Sequence, residues 1–508
     1  MSTPLVTQLL DQATGQFGFK PAVITPERTL SFAELHRLSS RFAAGLAAAG
    51  LASGERVTLW IRNSWKWPVA YFGILRAGCV AVPLNALASL PEACFASTDC
   101  DSVVTVVCNP PAVSVGHPAD EPAFQGLRNA LLFEELLDRG AGALHAWREP
   151  AISPHELCAV CYTSGTTGFV KGAALRHESV AINATMTGLM HGLHPGDTVV
   201  TPLPAAHVYG NTVLNACVIV GATLVMLPRL EERNVLDAIE RYRATVLYGV
   251  PSMYLTLLIL ADLERFDLRS LRMCAVGGQG MAIAKMREVE ARLRCRLIEL
   301  WGMTEIAGLG TTHPHNGPSS LGSIGIPLPF TQTRISAPDG SDKPVAQGEI
   351  GELLVRGPHV MNGYWNAPGE TEIVLGSDGW LRTGDLVRED ERGYLYLVDR
   401  IKDVILSGGY TLYPAEIERV LAEHPSVSAC LVTAISDNVR GHTLKASVVL
   451  RPGSQCEPED LLRFCRQELA SYKVPRTLEF VPNLPTGVTG KALRRGAATG
   501  ALEVSLHA

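Results

Sequence analysis

The stretch YTSGTTGFVKG, residues 162–172, sets five hydroxyls and two glycines between an apolar run and Lys171, with a third glycine directly after the lysine. Glycines let the backbone turn with its N–H groups pointing inward, and hydroxyls and a lysine add further donors. Thr163, Ser164, Gly165, Thr166, Thr167, Gly168 and Lys171 are therefore candidates to wrap a polyphosphate. The spacing is not GxxxxGK[ST], because Val170 occupies the position of the second glycine, which argues against a P-loop kinase. A polar hairpin with no ligand has the same local pattern, so the rest of the chain has to decide.

Outward from the loop, short apolar runs alternate with helical patterns. SFAELHRLSSRFAAGLAAAG (31–50) predicts a helix with Ser31 as N-cap, Glu34 completing a capping box and Gly50 at its end. VTLWI (57–61), VVTVVC (103–108), TLVML (223–227) and VLYGV (246–250) predict strands, and ERNVLDAIERYRA a helix. This alternation predicts an α/β fold of mainly parallel sheets covered by helices. Residues 109–150, rich in Pro, Ala and Gly, read as a surface excursion. From about residue 320, short strands between Gly, Pro and Asp turns predict a β-rich subdomain. After Asp399, helix and strand patterns mix again and predict a small α+β domain, giving units at 1–398 and 399–508.

With 508 residues, the chain is too long for one ordinary core. Hydrophobic residues make up 47% and charged residues 19%, which fits a compact enzyme without long disorder. A net charge of −6, with both signs mixed along the chain, leaves no basic arm or stripe for nucleic acid or an anionic membrane. The 12 cysteines are scattered mostly singly in apolar surroundings and read as buried free thiols. The N-terminal segment lacks a basic leader pattern, and no apolar run approaches about 18 residues. These features predict a cytoplasmic protein without integral membrane association; a monomer or homodimer is expected.

The loop is followed, in order, by PLPAAHVYG (202–210), VGGQGM (276–281), LWGMTE (300–305), GSIGIPLP (322–329), RTGDL (382–386), VDRIKDVILSGGYTLYPAEIE (398–418) and PTGVTGK (485–491). Together these resemble the adenylate-forming superfamily of acyl-CoA synthetases, peptide-synthetase adenylation domains and luciferases. The resemblance covers most of the chain and implies a large N-terminal domain of two α/β sheet layers with a β-rich subdomain, plus a small mobile C-terminal domain. It implies a carboxylate attacking the α-phosphorus of ATP to give an acyl adenylate and pyrophosphate, then a thiol, that of CoA, displacing AMP. The loop would hold the outer phosphates of ATP.

By the same resemblance, Lys491 bridges the incoming carboxylate and the α-phosphate. Glu305 is the ligand for Mg²⁺, Thr304 donates to the α-phosphate, and Trp301, where relatives carry Tyr, offers a face to adenine. Gly278, Gln279, Gly302 and Met303 complete the nucleotide set. Asp385 offers its carboxylate to the ribose hydroxyls and Arg400 a second contact nearby. His207 guides the substrate carboxylate. Asp399 is the hinge, and Gly408 and Gly409 let the pantetheine arm of CoA approach. Ordinary structural uses stay open for each: core packing for Trp301, turn capping for Asp385, a solvated surface for Lys491.

His207, Val208, Tyr209, Asn211, Tyr248, Met253, Gly277, Gly278 and Met303 are expected to line the acyl pocket. Most are apolar or small, which favours a hydrophobic acid. AHVYGN carries no acid to hold a substrate ammonium, so the resemblance does not extend to amino-acid activation. Gln279 and Gly280 depart from the family's GGAP, and Gly487 stands where Thr or Asn is common. Two other readings remain open: an acyl-AMP ligase loading a carrier protein, and a non-catalytic nucleotide-binding relative. The latter would be expected to have lost Lys491, Glu305 or Asp385, and all three are present.

Overall fold

The computed structural model describes residues 4–108, 127, 129–164, 170–407, 410–437 and 441–485. Among them the strands form two large mixed sheets, a four-stranded antiparallel sheet and, near the C-terminus, a two-stranded and a three-stranded sheet. In the nine-stranded sheet, Thr223–Met226, Thr198–Thr201, Val246–Gly249, Met273–Gly277 and Arg296–Met303 run parallel as neighbours. In the seven-stranded sheet, Val104–Val107, Arg56–Leu59, Val80–Pro83 and Leu157–Ser164 are parallel, and Val170–Arg176 turns back antiparallel on the last. Buried runs such as Val80–Pro83 carry no polar alternation because both faces are covered, as expected of parallel sheets.

Local sequence signals account for many of the covering helices. Helix Phe32–Ala48 starts at Ser31, whose hydroxyl accepts from Glu34 N while the Glu34 carboxylate accepts from Ser31 N, the expected capping box. Helix Glu232–Tyr242 and strand Val246–Gly249 fall where the sequence predicts them. The reading of 109–150 needs correction. Residues 130–143 form strand Ala130–Leu132 and helix Phe133–Ala143, which buries Phe133, Leu136 and Gly140. Their small residues serve close packing. A Cβ on Gly140 would lie 1.8 Å from Arg41 O, and one on Gly45 would lie 1.9 Å from Leu136 O, so the two helices meet backbone to backbone. Residues 109–126 lie outside the described residues.

Gln332–Ser336, Gly351–Arg356, Leu381–Glu389 and Leu395–Arg400 form the four-stranded sheet, which is the expected β-rich subdomain. Beyond it, helices Pro414–Glu423 and Pro458–Glu468 pack on strands Val427–Asp437, Gly441–Leu450 and Thr477–Phe480 around a separate core that includes Leu412, Ile417 and Val432. All 12 cysteines are free, nine of them buried. No described helix is long and apolar enough to cross a membrane.

Candidate active site

The motif segments gather because of strand direction. PLPAAHVYG, VGGQGM and LWGMTE each sit at the C-terminal end of a parallel strand in the nine-stranded sheet, so they emerge at one edge, where open α/β sheets bind ligands. Close backbone approach fixes the glycines there. A Cβ on Gly302 would lie 2.0 Å from Gly308 O, and one on Gly277 would lie 2.2 Å from a methyl of Leu300. Gly278 has a φ of +93° and is exposed at the rim beside half-buried Gln279.

The β-rich subdomain delivers Asp385 to this edge. Asp385 is buried; its Oδ2 accepts from Trp301 Nε1 at 2.7 Å and its Oδ1 from Arg400 Nε at 3.1 Å. The carboxylate is thus held from two sides, with lone pairs left to accept from further hydroxyls. Asp385 in turn holds the Arg400 guanidinium charged, raising its pKa above the usual arginine value. Trp301 is buried in the main core, with its ring edge against Gly310. Orienting Asp385 is a use of that indole N–H that the sequence did not reveal.

Thr304 and Glu305 begin the turn after strand Arg296–Met303, and both are buried. Glu305 Oε1 accepts from the Tyr364 hydroxyl at 2.7 Å, and Glu305 O accepts from Met361 N at 2.8 Å. Burial, and next the Glu305 carboxylate, push the Tyr364 phenol well up and keep it protonated as a donor. Tyr364 belongs to strand Gly363–Tyr364, which pairs with Val170–Arg176 at Ala173 and Ala174. It therefore stands beside Lys171, whose ammonium lies 5.2 Å from the Tyr364 ring centroid and pairs with Glu370. Thr163 is the register partner of Lys171 across the hairpin, and Ser164 that of Val170. Gly165, Thr166, Thr167, Gly168, Gly408, Gly409 and Lys491 lie outside the described residues.

His207 is the N-cap of helix Val208–Val220, its Nδ1 accepting from Tyr209 N at 3.2 Å. A neutral ring then carries its proton on Nε2. Val208 and Asn211, from the next turn, line a small cavity with Ala206, Leu175 and Tyr71. Apolar side chains dominate it, and one wall is polar: Asn211 Oδ1 accepts from Asn215 Nδ2 at 2.8 Å and from the Tyr71 hydroxyl at 3.4 Å. Tyr71 and Asn215 were not singled out in the sequence, since nothing local marks a contact formed across 140 positions.

Two expected pocket residues need restating. Tyr248 is fully buried, and its hydroxyl meets His191 Nδ1 at 2.6 Å, while His191 Nε2 meets Thr312 Oγ1 at 2.8 Å. Burial, and next Arg272, lower the His191 pKa to about 3, so this network is neutral and structural. Met253 belongs to the core on the opposite face of the nine-stranded sheet from Tyr209 and Tyr248, packed on Gly249 from helix Pro251–Ile259. The structure does not bring Met253 together with the other pocket residues. Tyr209 is buried, and Met303 is half-buried beside Thr304.

Polar contacts among the described residues join the C-terminal domain to the rest of the chain. Asp399 Oδ2 accepts from Ala415 N at 2.9 Å, tying the last strand of the β-rich subdomain to the first turn of helix Pro414–Glu423. Arg451 Nη2 meets Glu288 Oε2 of helix Ile283–Leu293 at 2.7 Å, and its Nη1 meets Oε1 at 3.3 Å. Glu299 is buried on strand Arg296–Met303; Met281 N donates to its Oε1 at 3.4 Å, and Oε2 has no partner among the described residues. Burial raises the Glu299 pKa to about 7.

Comparison with known proteins agrees with this arrangement. Residues 10–365 match the family model of AMP-binding enzymes, and residues 416–491 match that of the AMP-binding enzyme C-terminal domain. A long-chain-fatty-acid–CoA ligase of Bacillus subtilis is 32% identical over 96% of this chain and 93% of its own length. A feruloyl-CoA synthase of Amycolatopsis sp is 35% identical over 95% of this chain and 98% of its own length. Among solved structures, the anthranilate CoA ligase AuaEII in complex with anthranoyl-AMP superimposes with a TM-score of 0.90 at 26% identity, covering 98% of both chains. ATP-bound MatB from Rhodopseudomonas palustris gives 0.88 at 30% identity, covering 97% of this chain and 98% of that one. The chain therefore belongs to the family of AMP-binding enzymes, within the adenylate-forming superfamily, and carries both the large domain and the C-terminal domain of that family.

Proposed function

We propose that this AMP-forming carboxylate–CoA ligase activates a hydrophobic carboxylic acid as its acyl adenylate and transfers the acyl group to free CoA. The observation that carries the reading is the Trp301–Asp385–Arg400 cluster, a buried carboxylate braced on both oxygens at the edge where three motif segments emerge. Asp385 accepts from the ribose hydroxyls, Arg400 adds a donor beside it, and the hydroxyl-rich loop with Lys171 receives the outer phosphates. Thr304 donates to the α-phosphate. Gly278, Gln279, Gly302 and Met303 line the nucleotide.

In the first step a substrate carboxylate oxygen bonds to the α-phosphorus while the bond to the bridging oxygen breaks and pyrophosphate leaves. Such transfers depend on positioning and on cations where charge develops. Lys491 bridges the carboxylate and the α-phosphate. His207, with its proton on Nε2 and at the positive end of a 13-residue helix, orients the carboxylate. Among the described residues no cluster of three or more His, Cys, Asp or Glu forms a metal cage. A buried single carboxylate such as Glu305 suits Mg²⁺, which is commonly held by one or two carboxylates together with substrate phosphates. When bound, the ion would neutralise phosphate charge.

In the second step the CoA thiol attacks the acyl carbon and AMP leaves, with Gly408 and Gly409 admitting pantetheine after rotation about Asp399. The apolar lining around Val208, Leu175 and Ala206 supports a hydrophobic acyl group, with medium-chain, aromatic and alicyclic acids as its range. The CoA ligases among the similar proteins support free CoA as acceptor. Acid-dependent exchange of labelled pyrophosphate into ATP across a panel of such acids, followed by mass detection of acyl-CoA, tests the reading. Exchange without any acyl-CoA would leave an adenylate ligase, and no exchange with any acid would refute adenylation.

A further inference from the structure

Lys171 lies at the mouth of the phosphate loop, yet its ammonium is already engaged. Only 12% of its side chain is exposed, and Nζ is paired with the Glu370 carboxylate of helix Pro368–Val374 over the face of Tyr364. The arrangement follows from strand pairing. Tyr364 pairs with Ala173, two positions along the strand from Lys171, so it points to the same sheet face, and the chain then leads directly into the helix carrying Glu370. A lysine this withdrawn from water needs a counter-ion, and a quadrupolar ring face adds to its hold. Glu370 is 41% exposed, so it is the looser of the two partners. Tyr364 is fixed in turn by its hydroxyl bond to Glu305.

We propose that Glu370 is the resting counter-ion of Lys171 and competes with the outer phosphates of ATP for it, with the Tyr364 ring as the fixed seat on which the ammonium changes partner. The inference rests on the reading that Lys171 serves those phosphates. A triphosphate presents several charges where Glu370 presents one, so the exchange favours nucleotide, but the lost ion pair subtracts from ATP affinity. AMP has no outer phosphates and does not ask Lys171 to move. Glu370 therefore sets the preference of the empty site between ATP and AMP, the substrate and the product that share it.

Equilibrium binding of ATP with magnesium, and of AMP, to the full chain tests this with wild type, Glu370→Gln, Lys171→Ala and the double variant. The expected result is ATP binding tightened roughly two- to fivefold by Glu370→Gln, the range of a partly exposed ion pair, with AMP unchanged. In the Lys171→Ala background the Glu370→Gln gain should vanish, because the competition no longer exists. A gain that persists there, or an equal gain for AMP, would mean simple charge repulsion and overturn the proposal. So would weaker ATP binding in Glu370→Gln, which would make Glu370 a support for Lys171. If Lys171→Ala alone leaves ATP affinity unchanged, the assignment of the loop itself fails, an outcome distinct from failure of the competition.

Discussion

Asp385 and Glu288 are both carboxylates paired with an arginine, but they stand in opposite circumstances. Asp385 has a side chain 5% exposed, is bonded by Trp301 on one oxygen and Arg400 on the other, and sits on a strand in the middle of the β-rich subdomain. Glu288 and Arg451 are each about 30% exposed and join two bodies with separate cores. A buried, doubly braced carboxylate cannot move without leaving charges unpaired, whereas a half-exposed pair exchanges readily with water. On the proposed function, Asp385 is a fixed seat for the nucleotide, and the Arg451–Glu288 pair between the two cores is a contact that can be given up. That contrast is what a two-step enzyme with one site and two docking partners requires.

The comparison is most severely tested at Asp385. Asp385→Ala is expected to raise the Michaelis constant for ATP by roughly 10- to 100-fold, the worth of charge-assisted hydrogen bonds, while moving that for the acid little. Steady-state kinetics with each substrate varied in turn checks it, and the reverse pattern would remove Asp385 from the ribose.

Glu299, a buried carboxylate with one oxygen unpartnered among the described residues, is the contrasting case to the braced Asp385. Its folded pKa of about 7 lies above the ordinary 4.5, so the native protein keeps a proton that the unfolded chain has already lost. Stability should therefore fall as pH rises from about 4.5 to about 7, by up to about 3 kcal/mol. Glu299→Gln should match wild type near pH 4.5 and melt at a higher temperature at pH 8. A difference that does not change with pH would contradict this assignment.

Smaller effects should follow from Trp301→Phe, which keeps the packing but removes the donor to Asp385. Loss of about 1 kcal/mol predicts an ATP Michaelis constant raised about fivefold, again with little change for the acid. Smallest of all should be Arg451→Ala: a partly exposed ion pair is worth less than about 1 kcal/mol, so melting should hardly change. If the pair is a releasable link, the ratio of thioester formation to adenylation should shift by no more than a few-fold; a collapse of both would make it part of one rigid body.

Much of this architecture is legible in the chain itself because its signals are local. The capping box of Ser31 and Glu34, the apolar strand runs and the Gly-rich turns of the β-rich subdomain act over a few residues. The helix at 133–143 was hidden because small residues mark both loops and close helix packing, and only the partner Gly45 distinguishes the two. At the site, the identities of Asp385, Glu305 and Lys171 are readable from motifs, but their companions are not. Tyr364 meets Glu305 across 59 positions and Glu370 meets Lys171 across 199, and such pairs arise from strand order. Met253 was misplaced for a related reason: a motif position gives the neighbourhood of a strand end but not the face of the sheet.

The central claim is that a lysine on the C-terminal domain serves the seat on the large domain in one half-reaction only. Lys491→Ala should therefore be assayed for pyrophosphate exchange and, separately, for thioester formation from preformed acyl adenylate and CoA. The account predicts exchange reduced by about a thousandfold or more, with thioester formation largely retained. Equal loss of both activities would contradict it.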